Sequence, residues 1–465
     1  MPSVSKPLAA PPPALSPLER TLRLVTDVRA GEGRAAVLMF ANVFLVLCAY
    51  YFVKPVRDGW LAVSTELRWL TKMEVKAYSS FAQTVLLVGV VGAYARLAGR
   101  WPRRVLVTRT TLACMATLVV FWALQPGLLF DEVPAAGLAF SLWVGMFGIF
   151  VVSQFWAFAA DFYTDERGRR LLPLIAVGAT AGAAFGSYLT EKISHADGLG
   201  SSALLLVSLV PLAGSVWLTH AADLRGPTGG GPAPEHAHPP AETPGGALGL
   251  VARSRFLLAV AAMSLFTAWV NTNGENLLFR AVQEAIDREV AAAGLTGGAA
   301  SAFVRRETTA FYGNLFFWVN VAALLLQTFA ASRLLRWAGV GFIILLLPAV
   351  SFVSYAAMAI LPVLGTIKAM KIVENSTAYS INNTARHVLW LPASAEAKYK
   401  AKPAIETLFV RTGDGLAAAT VMIGVHLLAL GTQGFLAANV AFVAAWLAAA
   451  WRVVQEHRRL TRRAA

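Results

Sequence analysis

The chain has 465 residues, of which 57% are hydrophobic and 14% are charged, and its formal net charge is +14. A soluble globular protein is about half apolar and about a quarter charged, so this composition excludes a soluble protein. Apolar windows of about 20 residues recur along the sequence and indicate membrane-spanning helices. Basic residues between these windows explain the net charge without a nucleic-acid partner. We therefore expect an all-α integral membrane protein whose surroundings are the lipid bilayer.

The apolar windows predict twelve spans, six on each side of a Pro/Gly-rich stretch. In chain order they are 35–53, 75–94, 105–123, 134–160, 171–189, 202–220, 256–270, 310–330, 340–361, 363–389, 403–428 and 432–453. Pro/Gly-rich sequence is typical of a linker. We expect a tail at 1–34, a first half at 35–220, a linker at 221–252, a second half at 253–453 and a basic tail at 454–465.

Basic residues fall in alternate loops and predict the orientation of the chain. They lie at Arg96, Arg100, Arg103, Arg104, Arg167, Arg169, Arg170, Arg333, Arg336, Lys398, Lys400 and Lys402. Cytoplasmic loops carry an excess of lysine and arginine, so we expect both termini and the linker in the cytoplasm. On that side, the residues expected to act in the gate or its loops are Arg96, Arg100, Arg170, Lys400 and Lys402.

The two halves repeat each other in sequence. The spacing from Glu166 to Pro173 recurs from Glu396 to Pro403, and a basic residue follows each glutamate by four positions. A parallel repeat of six spans is the arrangement of the major facilitator fold, which holds its substrate cavity between the halves. We therefore predict that fold. In span five, small residues every four positions favour close helix packing, at Gly178, Gly182 and Gly186.

Polar residues follow one face of span ten. They recur at steps of three and four, and Glu374 is close enough to pair with the second of them; the series is Lys368, Lys371, Asn375, Tyr379, Asn382 and Arg386. Charged groups in a membrane helix are costly unless they face a partner or an aqueous cavity. An amphipathic surface helix is the alternative, but the stretch is too long for one and follows apolar runs. We therefore expect these residues to face the substrate.

Two further clusters lie where spans one and seven are predicted to end. Lys54, Arg57 and Asp58 follow span one, and Asn271 and Glu275 follow span seven. The basic side chains of the first cluster either extend to the membrane surface or contact an anion at the cavity mouth, with Asp58 orienting Arg57. We expect the two clusters to face each other across the interface between the halves.

Three more residues are candidates for substrate contact. Trp156 in span four either stacks on a base or belongs to an interfacial aromatic belt. Arg411 and Asp414 in span eleven form either a structural ion pair or a substrate contact. Basic residues outnumber acidic ones among the candidates as a whole, which favours an anionic substrate, and arginine suits phosphate in particular.

Several stretches resemble the ATP/ADP nucleotide transporter family of plastids and intracellular bacteria, which has relatives in free-living bacteria. They are AYYFVKPVRD, QFWAFAADFYTDERGRRLLPLIAVGATAGAAFGS, VNTNGENLL and, most specifically, KIVENSTAYSINNTARHVLWLPASAEAKYKAKPAIETLFVRTGDG. The resemblance implies a transporter of major facilitator type in which charged membrane residues bind nucleotide phosphates. The matching residues are Arg57, Asp58, Glu275, Lys400 and Lys402. At Asp414 and Ser141 the chain departs from the exchangers, and it is more similar to the free-living relatives.

Together these features predict an alternating-access transporter in the bacterial inner membrane that moves nucleotides or related phosphorylated anions. The alternative is a facilitator for another organic anion or a drug. A membrane enzyme or sensor is disfavoured because the sequence contains no HExxH, Ser–His–Asp set, Walker A motif or large soluble domain. We expect no metal or other cofactor, and a small anionic substrate and lipid as the partners.

Overall fold

The computed structural model describes residues 15–23, 26–64, 69–98, 101, 103–125, 128–129, 133, 135–163, 165–196, 200–201, 203–223, 246–394 and 396–464. Every regular element in this part of the chain is helical. A bilayer offers no hydrogen-bond partners, so helices, which satisfy their own backbone groups, are the expected solution for so apolar a chain.

Nine α-helical segments are described in the first 223 residues. They are α1 (Pro17–Leu22), α2 (Gly33–Ala62), α3 (Lys72–Ala98), α4 (Arg103–Ala123), α5 (Ala136–Gly148), α6 (Gln154–Phe162), α7 (Asp165–Ser194), α8 (Ala203–Val207) and α9 (Leu209–Asp223). A π-helical turn, Ile149–Ser153, joins α5 to α6, so that the two form one span.

The second half has the same plan. Its α-helices are α10 (Gly246–Arg253), α11 (Arg255–Ala292), α12 (Gly297–Leu325), α13 (Ser332–Ile360), α14 (Leu364–Thr377), α15 (Asn383–Leu389), α16 (Lys402–Ala404), α17 (Val410–His426) and α18 (Thr432–Ala464). Four π-helical turns continue these helices, at Leu326–Ala331, Ala378–Asn382, Ala397–Ala401 and Ile405–Phe409.

Nine helical stretches in the described part of the chain are long and apolar enough to cross a membrane. One of them, Gly297–Ile360, contains the predicted spans eight and nine, and its direction changes at Gly339, where φ is 76°. The helices of predicted spans two and ten, α3 and α14, are not among the nine; α14 has 14 residues and carries Lys368, Lys371 and Glu374. The chain is a multi-pass membrane protein, as its composition predicts.

The predicted ends of spans one and seven are wrong. The helix α2 continues through Pro55 and Asp58 to Ala62, and α11 continues through Glu275 to Ala292. An apolar window ends at the first charged residue, whereas a helix continues as long as its backbone is hydrogen-bonded and its charges find partners. Both polar clusters therefore lie within long helices and not in the loops that follow them.

Helices extend into the predicted linker and the predicted basic tail. The helix α10 lies at the end of the predicted linker, and its Val251 packs in a buried cluster with Phe256, Ala397 and Ala401. Residues 224–245 lie outside the described residues. The helix α18 continues through the predicted basic tail to Ala464. The structured second half therefore begins earlier and ends later than hydropathy indicates.

The glycine spacing in span five has the predicted consequence. A Cβ atom added at Gly182 would lie 2.2 Å from the Phe44 backbone oxygen, and one added at Gly186 would lie 2.6 Å from that of Cys48. Such distances are far below van der Waals contact, so α2 and α7 approach as closely as glycine allows.

The two halves meet along two seams. The helices α2 and α7 pack on α12, and α3 packs on α11 and α17. We call the end of the molecule that carries Arg170 and Lys400 the basic-loop end, and the other end the opposite end. At the opposite end, a Cβ atom at Gly59 would lie 2.6 Å from the Arg305 backbone oxygen, which shows how closely the halves approach there.

Candidate functional site

A cavity of about 300 Å³ lies between the two halves. The helices α2 and α3 line it on one side, and α11, α12, α14 and α17 line it on the other. Eight of the predicted site residues line this cavity, namely Lys54, Arg57, Asn271, Glu275, Asn375, Tyr379, Arg411 and Asp414. The expected meeting of the span-one and span-seven clusters is therefore seen, although both lie inside helices.

A second cavity of about 360 Å³ continues into the second half. It shares six lining residues with the first cavity and adds three predicted site residues, Glu374, Asn382 and Arg386. Near its end, Arg386 Nη2 lies 3.2 Å from Glu406 Oε1, and these side chains are 50% and 36% exposed. The combined space is therefore accessible from the basic-loop end.

Asp58 is the buried carboxylate of the first half. It is fully buried and accepts hydrogen bonds from Arg57 Nη2, at 3.0 Å to Oδ2 and 3.2 Å to Oδ1. Lys76 in α3 forms a second ion pair with the same carboxylate. Asp58 orients Arg57, as expected, and in addition it joins α2 to α3.

Lys76 is not among the residues predicted from the sequence. Its signal was present, because Lys76 lies within the predicted second span, and an ionisable residue inside a span is a functional candidate by default. Ser80, Gln83 and Thr84 follow it at helical spacing and also line the cavity. The second span therefore carries a polar stripe similar to that of span ten.

Lys54 is a cation of the cavity that forms no salt bridge with a carboxylate among the described residues, although Glu275 and Asp58 lie close enough to attract its charge. Its Nζ lies 3.9 Å from the ring centroid of Phe316 and 5.1 Å from that of Tyr51. A cation over an aromatic ring gains about 0.5–2 kcal/mol, depending on how far it is desolvated. The aromatic rings therefore hold this ammonium in place and leave its charge available to an anion.

Lys371 is the buried cation of the second half. It is fully buried, and its Nζ lies 2.8 Å from Glu374 Oε2 and 3.2 Å from Glu275 Oε1. Glu374 also accepts hydrogen bonds from Ser351 at 2.9 Å and from Tyr355 at 3.3 Å. Lys371 thus lies behind the cavity wall, and its two carboxylate partners connect it to the cavities, Glu275 to the first and Glu374 to the second.

Asp414 links the second half to the first. It accepts hydrogen bonds from Arg411 Nη1 at 3.1 Å and from Thr272 Oγ1 at 2.8 Å. Thr84 Oγ1, on α3 of the first half, lies 3.4 Å from Asp414 Oδ2, the same oxygen that accepts from Arg411. Because these groups line the cavity as well, the pair is both an interhelical contact and part of the site.

Charge is divided unequally between the two walls. The first half places three cations (Lys54, Arg57 and Lys76) beside one carboxylate, whereas the second places two cations beside three carboxylates (Glu275, Glu374 and Asp414). With all groups ionised, the first wall is net +2 and the second is net −1. The basic excess is smaller than the sequence predicts, because folding pairs most of the cations with carboxylates.

Two predicted site residues lie away from the cavities. Trp156 packs against an apolar cluster of the first half, with its ring 5.5 Å from that of Phe155. Lys368 lies with its Nζ 5.1 Å from the ring centroid of Phe311 on α12. The rest of the predicted stripe lines a cavity from Asn375 through the π-helical turn Ala378–Asn382 to Arg386, whereas Lys368, near the start of α14, does not.

Arg170, a predicted gate residue, ties α7 to the residue before α2. Its guanidinium donates to both Glu32 carboxylate oxygens, at 2.8 and 2.9 Å. Burial raises the pKa of Glu32, but the hydrogen bonds from Arg170 and the Arg29 N–H outweigh this effect and hold that pKa below its ordinary value. Arg170 therefore contacts its own half of the molecule.

The other predicted gate residues are placed as follows. Lys400 Nζ lies 3.5 Å from Glu396 on the same segment, and Lys402 begins α16. Arg96 lies in α3, but its side chain is outside the described part of the structure, as is the whole of Arg100.

Comparison with known proteins identifies the fold. No family model matches the sequence, and no curated protein matches it significantly. Solved structures match it over most of its length. A bacterial homologue of the iron transporter ferroportin, in an inward-facing state, has a TM-score of 0.61 at 12% identity, covering 91% of this chain and 98% of its own.

Two further structures agree with this one. The nucleoside transporter NupG has a TM-score of 0.60 at 13% identity, covering 91% of this chain and 99% of its own. A bacterial homologue of the human lysosomal transporter Spinster, inward-facing and unoccupied, has a TM-score of 0.54 at 14% identity, covering 91% and 98%. The chain is therefore a membrane protein with the major facilitator fold, as the internal repeat predicts.

Proposed function

We propose that the chain is an alternating-access transporter that moves a nucleotide, or a related phosphorylated anion, across the bilayer. The observation that carries the proposal is Lys54, a cation that lines the cavity between the halves and forms no salt bridge with a carboxylate among the described residues. A charge held between low-dielectric walls attracts an ion of opposite sign.

The first wall suits a phosphate group. Arg57 and Lys76 share the Asp58 carboxylate, which holds them beside Lys54. Guanidinium and ammonium groups together can donate several charge-assisted hydrogen bonds to phosphate oxygens. Tyr379, which is 43% exposed and lines both cavities, offers a ring face to a nucleobase.

The arrangement of the halves suits alternating access. The cavity is accessible from the basic-loop end, while α2, α7 and α12 are in close contact at the opposite end. With the orientation that the basic loops predict, this is an inward-facing state. Rocking of the halves around the cavity would expose the site on the other side.

Exchange in proteoliposomes tests the proposal. Vesicles loaded with ADP should take up labelled ATP, and Lys54→Met should reduce this uptake about tenfold or more, because a charge-assisted hydrogen bond contributes about 1.5–3 kcal/mol. Lys368→Met is a matched control, since Lys368 also lies over an aromatic ring but does not line either cavity. Absence of exchange by the wild type, or equal losses in the two variants, would refute the proposal.

A second candidate is a facilitator for another organic anion or a drug. The near balance of charge around the cavity favours it, because a substrate with one negative charge would neutralise the remaining +1. Uptake of a monovalent organic anion that neither ATP nor ADP inhibits would favour this candidate over the first.

A further inference from the structure

Two histidine–glutamate pairs join the halves at the opposite end. His195, which follows α7, has its Nε2 3.3 Å from Glu307 Oε2 on α12. His426, the last residue of α17, has its Nε2 2.7 Å from Glu74 Oε1 on α3. The internal repeat relates α7 to α17 and α3 to α12. The pairs therefore occupy equivalent positions, and each half contributes one histidine and one glutamate.

The pair on the α3–α17 seam has one cationic partner for its carboxylate. Glu74 is 1% exposed and accepts hydrogen bonds from the Thr71 N–H at 2.8 Å and from Tyr78 at 3.2 Å. The nearby Lys72 donates to the Ala62 backbone oxygen at 2.8 Å and not to this carboxylate. Among the described residues, His426 is thus the group that can bring positive charge to Glu74.

The His195–Glu307 pair, on the α7–α12 seam, has more charged groups around it than the His426–Glu74 pair. Glu307 Oε1 accepts from Arg306 Nε at 2.9 Å, so this carboxylate is already partly neutralised. On α7, Glu191 accepts from Asn314 at 3.0 Å, and Lys192 lies over the Tyr188 ring. Further charged groups at this end are Lys368 on α14, Arg305 on α12, and Asp287, Arg288 and Glu289 in the last turns of α11. Protonation of His195 therefore adds less attraction than protonation of His426.

We propose that protonation of these two histidines holds the opposite end closed. An ordinary histidine titrates between about pH 5 and 8, a range above the ordinary pKa of a glutamate. A protonated histidine is attracted to its glutamate only while the halves are in contact, so acid favours the conformation seen here and higher pH favours opening. The inference rests on the alternating-access part of the proposed function and not on its substrate.

Thiol labelling of a buried seam position tests the switch. Ala62 ends α2 at the closed end and is 4% exposed. The variant Ala62→Cys, with Cys48→Ala and Cys114→Ala, is placed in nanodiscs, where both faces meet the same pH. It is then treated with a membrane-impermeant maleimide.

Each labelling rate is divided by that of the exposed Ala293→Cys at the same pH, which removes the intrinsic pH dependence of the thiol. The normalised rate should be about threefold to tenfold higher at pH 8 than at pH 5.5.

Glutamine substitutions identify the groups that respond. The pH dependence should disappear in a His195→Gln/His426→Gln variant, and His426→Gln alone should remove the larger part of it. His220→Gln is the matched control, because His220 contacts Thr108 away from the seam, and it should keep the wild-type response. A normalised rate independent of pH, or a full response in the double variant, would overturn the switch. Since the readout uses no substrate, failure of nucleotide exchange would leave this result unchanged.

Discussion

The two walls of the cavity hold their charges in different ways. In the second half, Lys371 is fully buried between Glu374 and Glu275, so its charge is balanced within the protein. In the first half, Lys54 rests on aromatic rings and forms no salt bridge among the described residues, although Glu275 and Asp58 lie close enough to attract its charge. A buried cation with partners supports the fold, whereas an unbalanced one at a cavity surface is available to a ligand. Lys371 and Lys54, which both lie in membrane helices, thus have different expected roles.

The largest expected effect is loss of the buried cation in the second wall. Lys371→Met leaves two carboxylates without their partner, and breaking a buried ion pair in this way costs about 3–5 kcal/mol of stability. The thermal melting temperature of the purified protein should fall by several degrees. Lys54→Met leaves no carboxylate unpaired, so its melting temperature should stay close to that of the wild type. Equal melting of the two variants would contradict the contrast between the walls.

A smaller effect is expected at Lys76. Lys76→Met leaves Asp58 paired with Arg57 but removes one cation from the first wall. We expect the KM for substrate uptake to rise about tenfold while the melting temperature changes little, because one charge-assisted hydrogen bond to the anion is lost. Arg411→Met is the comparison variant, because it removes a cation from the second wall. If both variants raise the KM equally, the first wall has no special role in anion binding.

The smallest expected effect lies outside the cavity, at the link between Arg170 and Glu32. Because the pKa of Glu32 is held below its ordinary value, its stabilising contribution is complete at neutral pH and is lost as pH falls through the folded-state pKa. Glu32→Gln should therefore lower stability by about 1 kcal/mol at pH 7 and have less effect in acid.

Glu166→Gln serves as the control for that prediction. Its ion pair with Arg29 has exposed side chains on both sides, so the substitution should change stability by less than about 0.5 kcal/mol. Melting temperatures of both variants between pH 3.5 and 7 make the comparison. A Glu32→Gln deficit that does not shrink toward acid would show that Glu32 does not act as a carboxylate.

Much of the site could be predicted because ionisable groups inside apolar spans are rare and therefore informative. That reasoning identified Arg411, and the charged residues at the predicted ends of spans one and seven identified Lys54, Arg57 and Glu275. The fold brings all four together around one cavity. Trp156 and Lys368 lie away from the cavities, and each has an aromatic ring as its neighbour. The neighbour of a side chain cannot be read from spacing alone.

Composition and periodicity by themselves determined that this is a helical membrane protein with a repeated six-span plan. Apolar length and the internal repeat can both be read along the sequence without knowing which residues are in contact. Tertiary structure alone decided which charges are balanced. Asp58 meets Lys76, and Lys371 meets Glu275, only when separate helices pack together. The availability of Lys54 is likewise a result of packing, since the sequence shows its charge but not the absence of a partner.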